Sequence, residues 1–144
     1  MNDELTKKLL DDFPKLYRNR HETSMQNGFR CGDGWFDLIY KLSRDIEAVA
    51  GECGINPDSP EWPWCRGVKE KLGSLRFRVF AVDEFRDVYE RIVDLIQAAS
   101  AQSLQVCEEC GAPGVQCDRQ LRTLCTEHAG TSQVSCVTSG VGDT

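Results

Sequence analysis

Cys107-Glu108-Glu109-Cys110-Gly111, followed by Leu124-Cys125-Thr126-Glu127-His128, decides how the C-terminal third of this chain folds. Each stretch carries two metal-binding side chains with two residues between them, and fourteen residues separate Cys110 from Cys125. A two-residue gap lets one backbone knuckle present both side chains to one ion, and two knuckles complete a tetrahedron. Gly111 suits the first knuckle, because glycine turns the backbone sharply and lets amides point at the sulfurs. Gly111-Ala112-Pro113-Gly114 then leads into a short hairpin expected to turn near Asp118-Arg119. The expected ion is Zn²⁺, held by Cys107, Cys110, Cys125 and His128 in a zinc-ribbon or treble-clef-like module over 105–129. Four protein ligands leave no open position for water, so such a site is structural and not catalytic. Three alternatives stand beside it: a Cys107/Cys110 redox pair, which Glu108 and Glu109 would oppose; Cys117 replacing His128 as fourth ligand; and a vestigial site.

Upstream, the pattern is mostly helical. Leu5, Leu9, Leu10 and Phe13 predict a helix over 3–13, and Trp35, Leu38, Ile39, Leu42, Ile46 and Val49 predict another over 34–50, with Asp33 as its N-cap. Phe85, Val88, Tyr89, Ile92, Leu95, Ile96 and Ala99 predict the longest helix, 83–103, which delivers the chain to Cys107. Between the second and third helices the period changes. Leu75, Phe77 and Val79 alternate with Arg76, Arg78 and Phe80, which is strand chemistry, and the spacing predicts a β-hairpin over 65–80 turning at Gly73-Ser74. Residues 18–34 are polar and glycine-rich and read as a loop. The expected architecture is α+β: a core over 1–104 with helices packed on a β-hairpin, the metal module at 105–129, and a disordered tail over 130–144. The module has few apolar residues of its own (Val106, Val115, Leu121, Leu124), so metal binding is expected to be coupled to its folding.

With 144 residues and 40% hydrophobic content, the chain can bury a real core. Its formal net charge of -6 argues against coating duplex DNA by default, since Lys and Arg neutralising phosphates dominate that affinity. Met1-Asn2-Asp3-Glu4 begins acidic with no apolar stretch behind it, and no run approaches a membrane span, so a cytoplasmic location is expected. In a reducing compartment the eight cysteines are thiols or ligands before they are disulfides, leaving Cys31, Cys53, Cys65, Cys117 and Cys136 as small apolar or bystander residues.

The predicted hairpin concentrates cations. Arg66, Lys69, Lys71, Arg76 and Arg78 are opposed locally only by Glu70, with Trp62 and Trp64 just upstream. A basic strand with aromatics beside it could grip a single strand or a phosphate. The plainer reading is the wet face of a half-buried sheet, neutralised by Asp83, Glu84, Asp87, Glu90 and Asp94 of the long helix. A weaker candidate site lies in 18–37, where His21, Asp33 or Asp37 could serve acid–base chemistry if the fold brought them together. No Ser-His-Asp pattern or phosphate loop is present, so an enzyme is not the first expectation.

Three blocks carry a resemblance: Gly34-Trp35-Phe36-Asp37-Leu38-Ile39; Val68-Lys69-Glu70-Lys71-Leu72-Gly73-Ser74-Leu75-Arg76-Phe77; and Cys107 to Gly114 with Leu121 to Ala129. In order and spacing they resemble a family of small proteins of tailed phages and prophages that has no assigned activity. The resemblance implies a zinc-ribbon end and a phage setting, hence the cytoplasm of a bacterial host. The resemblance supplies no activity. The expected function is a non-enzymatic interaction protein that binds and modulates a host protein or nucleoprotein complex, and the phage setting suggests transcription or host defence as its target. A nucleic-acid-binding role for the basic hairpin is the alternative. A helix running into Cys107-Glu108-Glu109-Cys110-Gly111 is also similar to the zinc finger of the DksA/TraR-type RNA polymerase regulators. Here, however, His128 stands at the last ligand position, and a β-hairpin stands where their coiled-coil arm would be.

Overall fold

The computed structural model describes residues 1–117 and 121–130, and the architecture is α+β. The predicted tail over 130–144 falls almost wholly outside the described residues, as does the turn near Asp118-Arg119. Helix α1 (Asp3–Asp12) is capped by Asn2, whose side chain accepts from the Leu5 amide at 2.8 Å. Its exposed side carries Lys7–Asp11 and Lys8–Asp12 pairs at four-residue spacing, and its inner side buries Leu9.

Helix α2 (Phe36–Glu52) is entered through a 3₁₀ turn, Asp33–Trp35. Asp33 therefore does not cap α2 as expected. Its carboxylate accepts from the backbone amide and the side chain of Asn2, at 2.7 and 3.0 Å, and ties the start of the chain to this turn. The apolar stripe of α2 (Leu38, Ile39, Leu42, Ile46, Val49) faces the core as its spacing requires.

Strands β1 (Trp64–Lys71) and β2 (Ser74–Phe80) form an antiparallel hairpin with an irregularity between Cys65 and Gly67. The two-residue loop is Leu72-Gly73, one residue earlier than expected, with φ of 54° and 85°. Two consecutive positive φ values match the right-handed twist of the strands, and this geometry requires the loop to sit there. The stretch before α2 does more than connect. Arg30 pairs with Lys69 in parallel on the far edge of β1, with Arg30 N–H donating to Val68 O at 3.0 Å and Glu70 N–H donating to Arg30 O at 2.9 Å.

Helix α3 (Arg86–Ser103) follows a 3₁₀ turn at Asp83–Phe85 and packs on α2 and on β2. One core gathers Leu9, Phe13, Leu16, Tyr17, Trp35, Ile39, Ile46, Val68, Leu75, Phe77 and Ile92 from the three helices, both strands and the segments between them. The chain then forms a second antiparallel pair, β3 (Val115–Cys117) with β4 (Arg122–Leu124), and a last helical turn, α4 (Thr126–Ala129). Among the described residues, no helix is long and apolar enough to cross a membrane.

Candidate metal centre and basic hairpin face

Cys107 and Cys110 sit on the turn that follows α3. Cys125 is the residue immediately before α4, and His128 lies within it. The knuckle closes on itself: Gly111 N–H donates to Cys107 O at 2.9 Å and Cys107 N–H donates to Ala112 O at 2.7 Å. Gly111 has φ of 82°, the conformation that glycine reaches without steric cost. The four donor atoms lie within 4.8 Å of one another. Cys110 and Cys125 Sγ are 3.7 Å apart, and His128 Nδ1 lies 3.6 Å from Cys107 Sγ and 3.2 Å from Cys125 Sγ. The His128 amide, helped by that of Glu127 and by the neighbouring thiols, holds the Cys125 thiol below its ordinary range despite some desolvation. The neighbouring Cys110 thiol is held the other way, above its ordinary range: the Ala112 amide lowers it, but desolvation and its hydrogen bonds to Cys107 and Cys125 raise it. These side chains could hold a metal ion, and Cys117 is not part of the cluster.

Glu108 and Glu109 turn out to be braces. Buried Glu108 accepts from Gly32 N–H at 2.9 Å with one oxygen and from Arg122 Nε at 3.1 Å with the other, while Arg122 Nη2 reaches Glu109 at 2.5 Å. The module has only a small cluster of its own, Cys107, Cys117, Leu124 and Ala129. Of the four apolar residues expected to fill it, Leu124 does so. Val106 packs against the main core, and Val115 and Leu121 are exposed.

The remaining contacts run to the domain. The Trp35 indole donates to Val106 O at 2.9 Å, Gly34 N–H donates to Glu108 O at 2.7 Å, and Thr123 Oγ1 donates to Gly73 O at 2.7 Å. A Cβ on Gly34 would lie 2.1 Å from Cys107 O and 2.5 Å from Gly111 N. No local pattern marks Gly34 and Gly73 for this seam, because neither lies near Cys107, Cys110 or Cys125 in the chain.

The hairpin register sorts its side chains into two faces. Trp64 is opposite Phe80, Gly67 opposite Arg78, Lys69 opposite Arg76, and Lys71 opposite Ser74, so these share the outer face. Cys65, Val68, Leu75 and Phe77 point inward. Arg66, Lys69, Lys71, Arg76 and Arg78 are all exposed, and Arg66 sits at the strand irregularity. Among the described residues, none of the five is in an ion pair, whereas eight other cations are.

Among the described residues, no ion pair joins the hairpin cations to the acidic side chains of the long helix. The α3 side that meets β2 presents Tyr89, Val93, Ile96, Gln97 and Ser100, which leaves its carboxylates on other faces. Trp62 and Trp64 part company. Trp62 is 5% exposed and donates to Glu47 at 2.8 Å, which removes it as a surface contact, while Trp64 stacks on Phe80 with centroids 5.0 Å apart. His21, Asp33 and Asp37 are each exposed, and no hydrogen bond joins them, so the 18–37 region does not assemble acid–base groups.

Comparison of the chain with protein-family models, with curated proteins and with solved structures finds no match.

Proposed function

We propose that this chain is a non-enzymatic binding protein, held in shape by a structural zinc ion, whose working surface is the basic outer face of the β1–β2 hairpin and whose partner is nucleic acid or a nucleoprotein complex. The observation that carries this reading is the row of exposed cations that make no ion pair among the described residues, where eight other cations do. Leaving such a cluster unpaired raises the local potential and favours an anionic partner.

Zinc is favoured by the donor set and its spacing. Tetrahedral bonds of about 2.3 Å to sulfur and about 2.0 Å to nitrogen set donor separations of roughly 3.5–3.8 Å. Two donor pairs stand at 3.6 and 3.7 Å, the Cys125–His128 pair at 3.2 Å, and all lie within 4.8 Å. Three thiolates and an imidazole suit zinc better than hard cations such as magnesium or calcium. With the hairpin β3–β4 between the knuckle and α4, the module fits a zinc-ribbon or treble-clef-like arrangement.

The test is nucleic-acid binding measured over a salt series with the zinc-loaded protein. The expected result is an affinity that falls steeply as salt rises, with the double variant Arg76→Glu/Arg78→Glu losing at least about tenfold while its melting temperature holds. Binding that ignores both salt and the double variant would remove the reading.

A second reading has one observation behind it. Leu72 and Leu121, 52% and 48% exposed, stand where the hairpin turn meets the module: the Leu121 carbonyl lies beside Gly73, and Gln116 donates to Leu72 O at 2.7 Å. Val115 is also exposed. A host protein could dock there through apolar contact. That reading expects Leu72→Asp, not the arginine variant, to abolish capture of a discrete protein partner. The resemblance to phage and prophage proteins would put either partner in a bacterial host.

A further inference from the structure

We infer that the ligand of the basic hairpin is a single-stranded nucleic acid, laid along the groove between β2 and α3 with its bases stacked at the Trp64–Phe80 end. This rests on the reading of the basic face given above and narrows it.

The groove has two walls of different chemistry. On one side stand Arg76 and Arg78 of β2, with Lys69 and Lys71 behind them, and on the other Ile96, Gln97 and Ser100 of α3, enclosing about 430 Å³. A second hollow of about 360 Å³ continues it toward Arg66, Val79 and Tyr89, and the two share Phe77, Arg78, Ile96 and Gln97. The groove is therefore continuous and basic along the strand, and no described carboxylate lines its helical wall.

Tyr89 lines the second hollow, and Phe80 follows its Val79 along β2, with Trp64 opposite Phe80 in the register. Phe80 and Tyr89 are 40% and 46% exposed, and half-buried Trp64 stacks on Phe80 with an interplanar angle of 29°. Exposed aromatic faces beside a basic track serve bases that are free to stack, which a single strand offers and a duplex does not.

Duplex is disfavoured by shape. A two-stranded ribbon reads duplex by entering the major groove, roughly 12 Å wide. Here α3 packs along β2 and residue 30 is bridged to the other edge of β1, so the hairpin cannot project into a groove on its own. Beyond the hairpin the net charge of the chain is acidic, which further penalises a long polyanion passing over the molecule. DNA and RNA single strands present the same phosphates and base faces, and the groove chemistry fits both.

The fluorescence of the protein offers a direct reporter. Of the three tryptophans, Trp35 and Trp62 are buried, so Trp64 alone is placed to meet a base. The experiment titrates the zinc-loaded full chain with labelled oligo-dT and oligo-U of about 15 nucleotides and with a duplex of equal length, following anisotropy and tryptophan emission together. The expected result is preference for single strands by at least about tenfold, quenching of emission that is lost in Trp64→Phe, and affinity reduced several-fold in Phe80→Ala. Trp64→Phe keeps an aromatic ring in place, so its retained binding separates loss of the reporter from loss of fold. Equal or tighter binding to duplex, or single-strand binding without quenching, would overturn this inference and leave the basic-face reading standing. Absence of binding to every oligonucleotide at low salt would overturn both.

Discussion

Gly34 shows how much one residue can decide. It lies more than seventy residues from the cysteines, yet its missing side chain is what lets the Cys107–Gly111 knuckle seat against the domain, since a Cβ would overlap Cys107 O at 2.1 Å. That neighbour is backbone and cannot swing aside. Gly34→Ala is expected to cost about 1–3 kcal/mol and to weaken metal retention, by thermal melting and zinc titration. Gly51, inside α2, is the control: its Cβ would come no nearer than 4.0 Å to Trp62, so Gly51→Ala should be neutral or stabilising by up to about 1 kcal/mol. Equal losses in the two variants would mean that the close approach at Gly34 is not what matters. Trp62 and Trp64 make the same point about sequence reading. Only two positions apart and of one residue type, they diverge because Glu47 of α2 captures the Trp62 indole while Trp64 reaches the outer face of the hairpin.

At the scale of elements, the hairpin is the part whose pattern was most readable and whose loop was misplaced by one residue. Alternation along β2 fixed which side chains face inward. The loop position depends on twist compatibility, which favours Leu72-Gly73 even though leucine is poorly suited to φ of 54°. Asparagine tolerates that conformation better, so Leu72→Asn is expected to raise the melting temperature slightly, corresponding to about 1 kcal/mol or less. A fall would show that the exposed Leu72 side chain contributes packing near the module that outweighs its backbone strain. The helices were legible for a related reason. An amphipathic stripe repeats within one element, and burial along α1, α2 and α3 follows it. Their first turns were less so: α2 and α3 both begin in 3₁₀ turns, and Asp33, a good capping residue by type, is drawn to Asn2 instead.

For the whole molecule, the candidate metal module and the domain share a seam rather than a linker. Trp35 donates to Val106, Glu108 bridges Gly32 and Arg122, and Thr123 and Gln116 hold the hairpin turn through Gly73 O and Leu72 O. Loss of metal should therefore be felt at the hairpin and at the start of α2. Chelation, or Cys110→Ser, is expected to lower the melting temperature of the entire domain by more than about 10 °C in one cooperative transition. Two separate transitions, with the domain unchanged, would show that the seam transmits little.

The sequence by itself determined the four candidate ligands, the helical stripes and the two faces of β2. Each of these is written in short spacings: two residues for a knuckle, three and four for a helix, alternation for a strand. Only the tertiary structure decided that Gly34 and Gly73 serve the candidate metal module, that among the described residues no acidic side chain of α3 pairs with the hairpin cations, and that His21, Asp33 and Asp37 are exposed with no hydrogen bond between them. Those outcomes depend on which remote surfaces meet and at what angle. Close packing of the core selects that arrangement, and no local period along the chain records it.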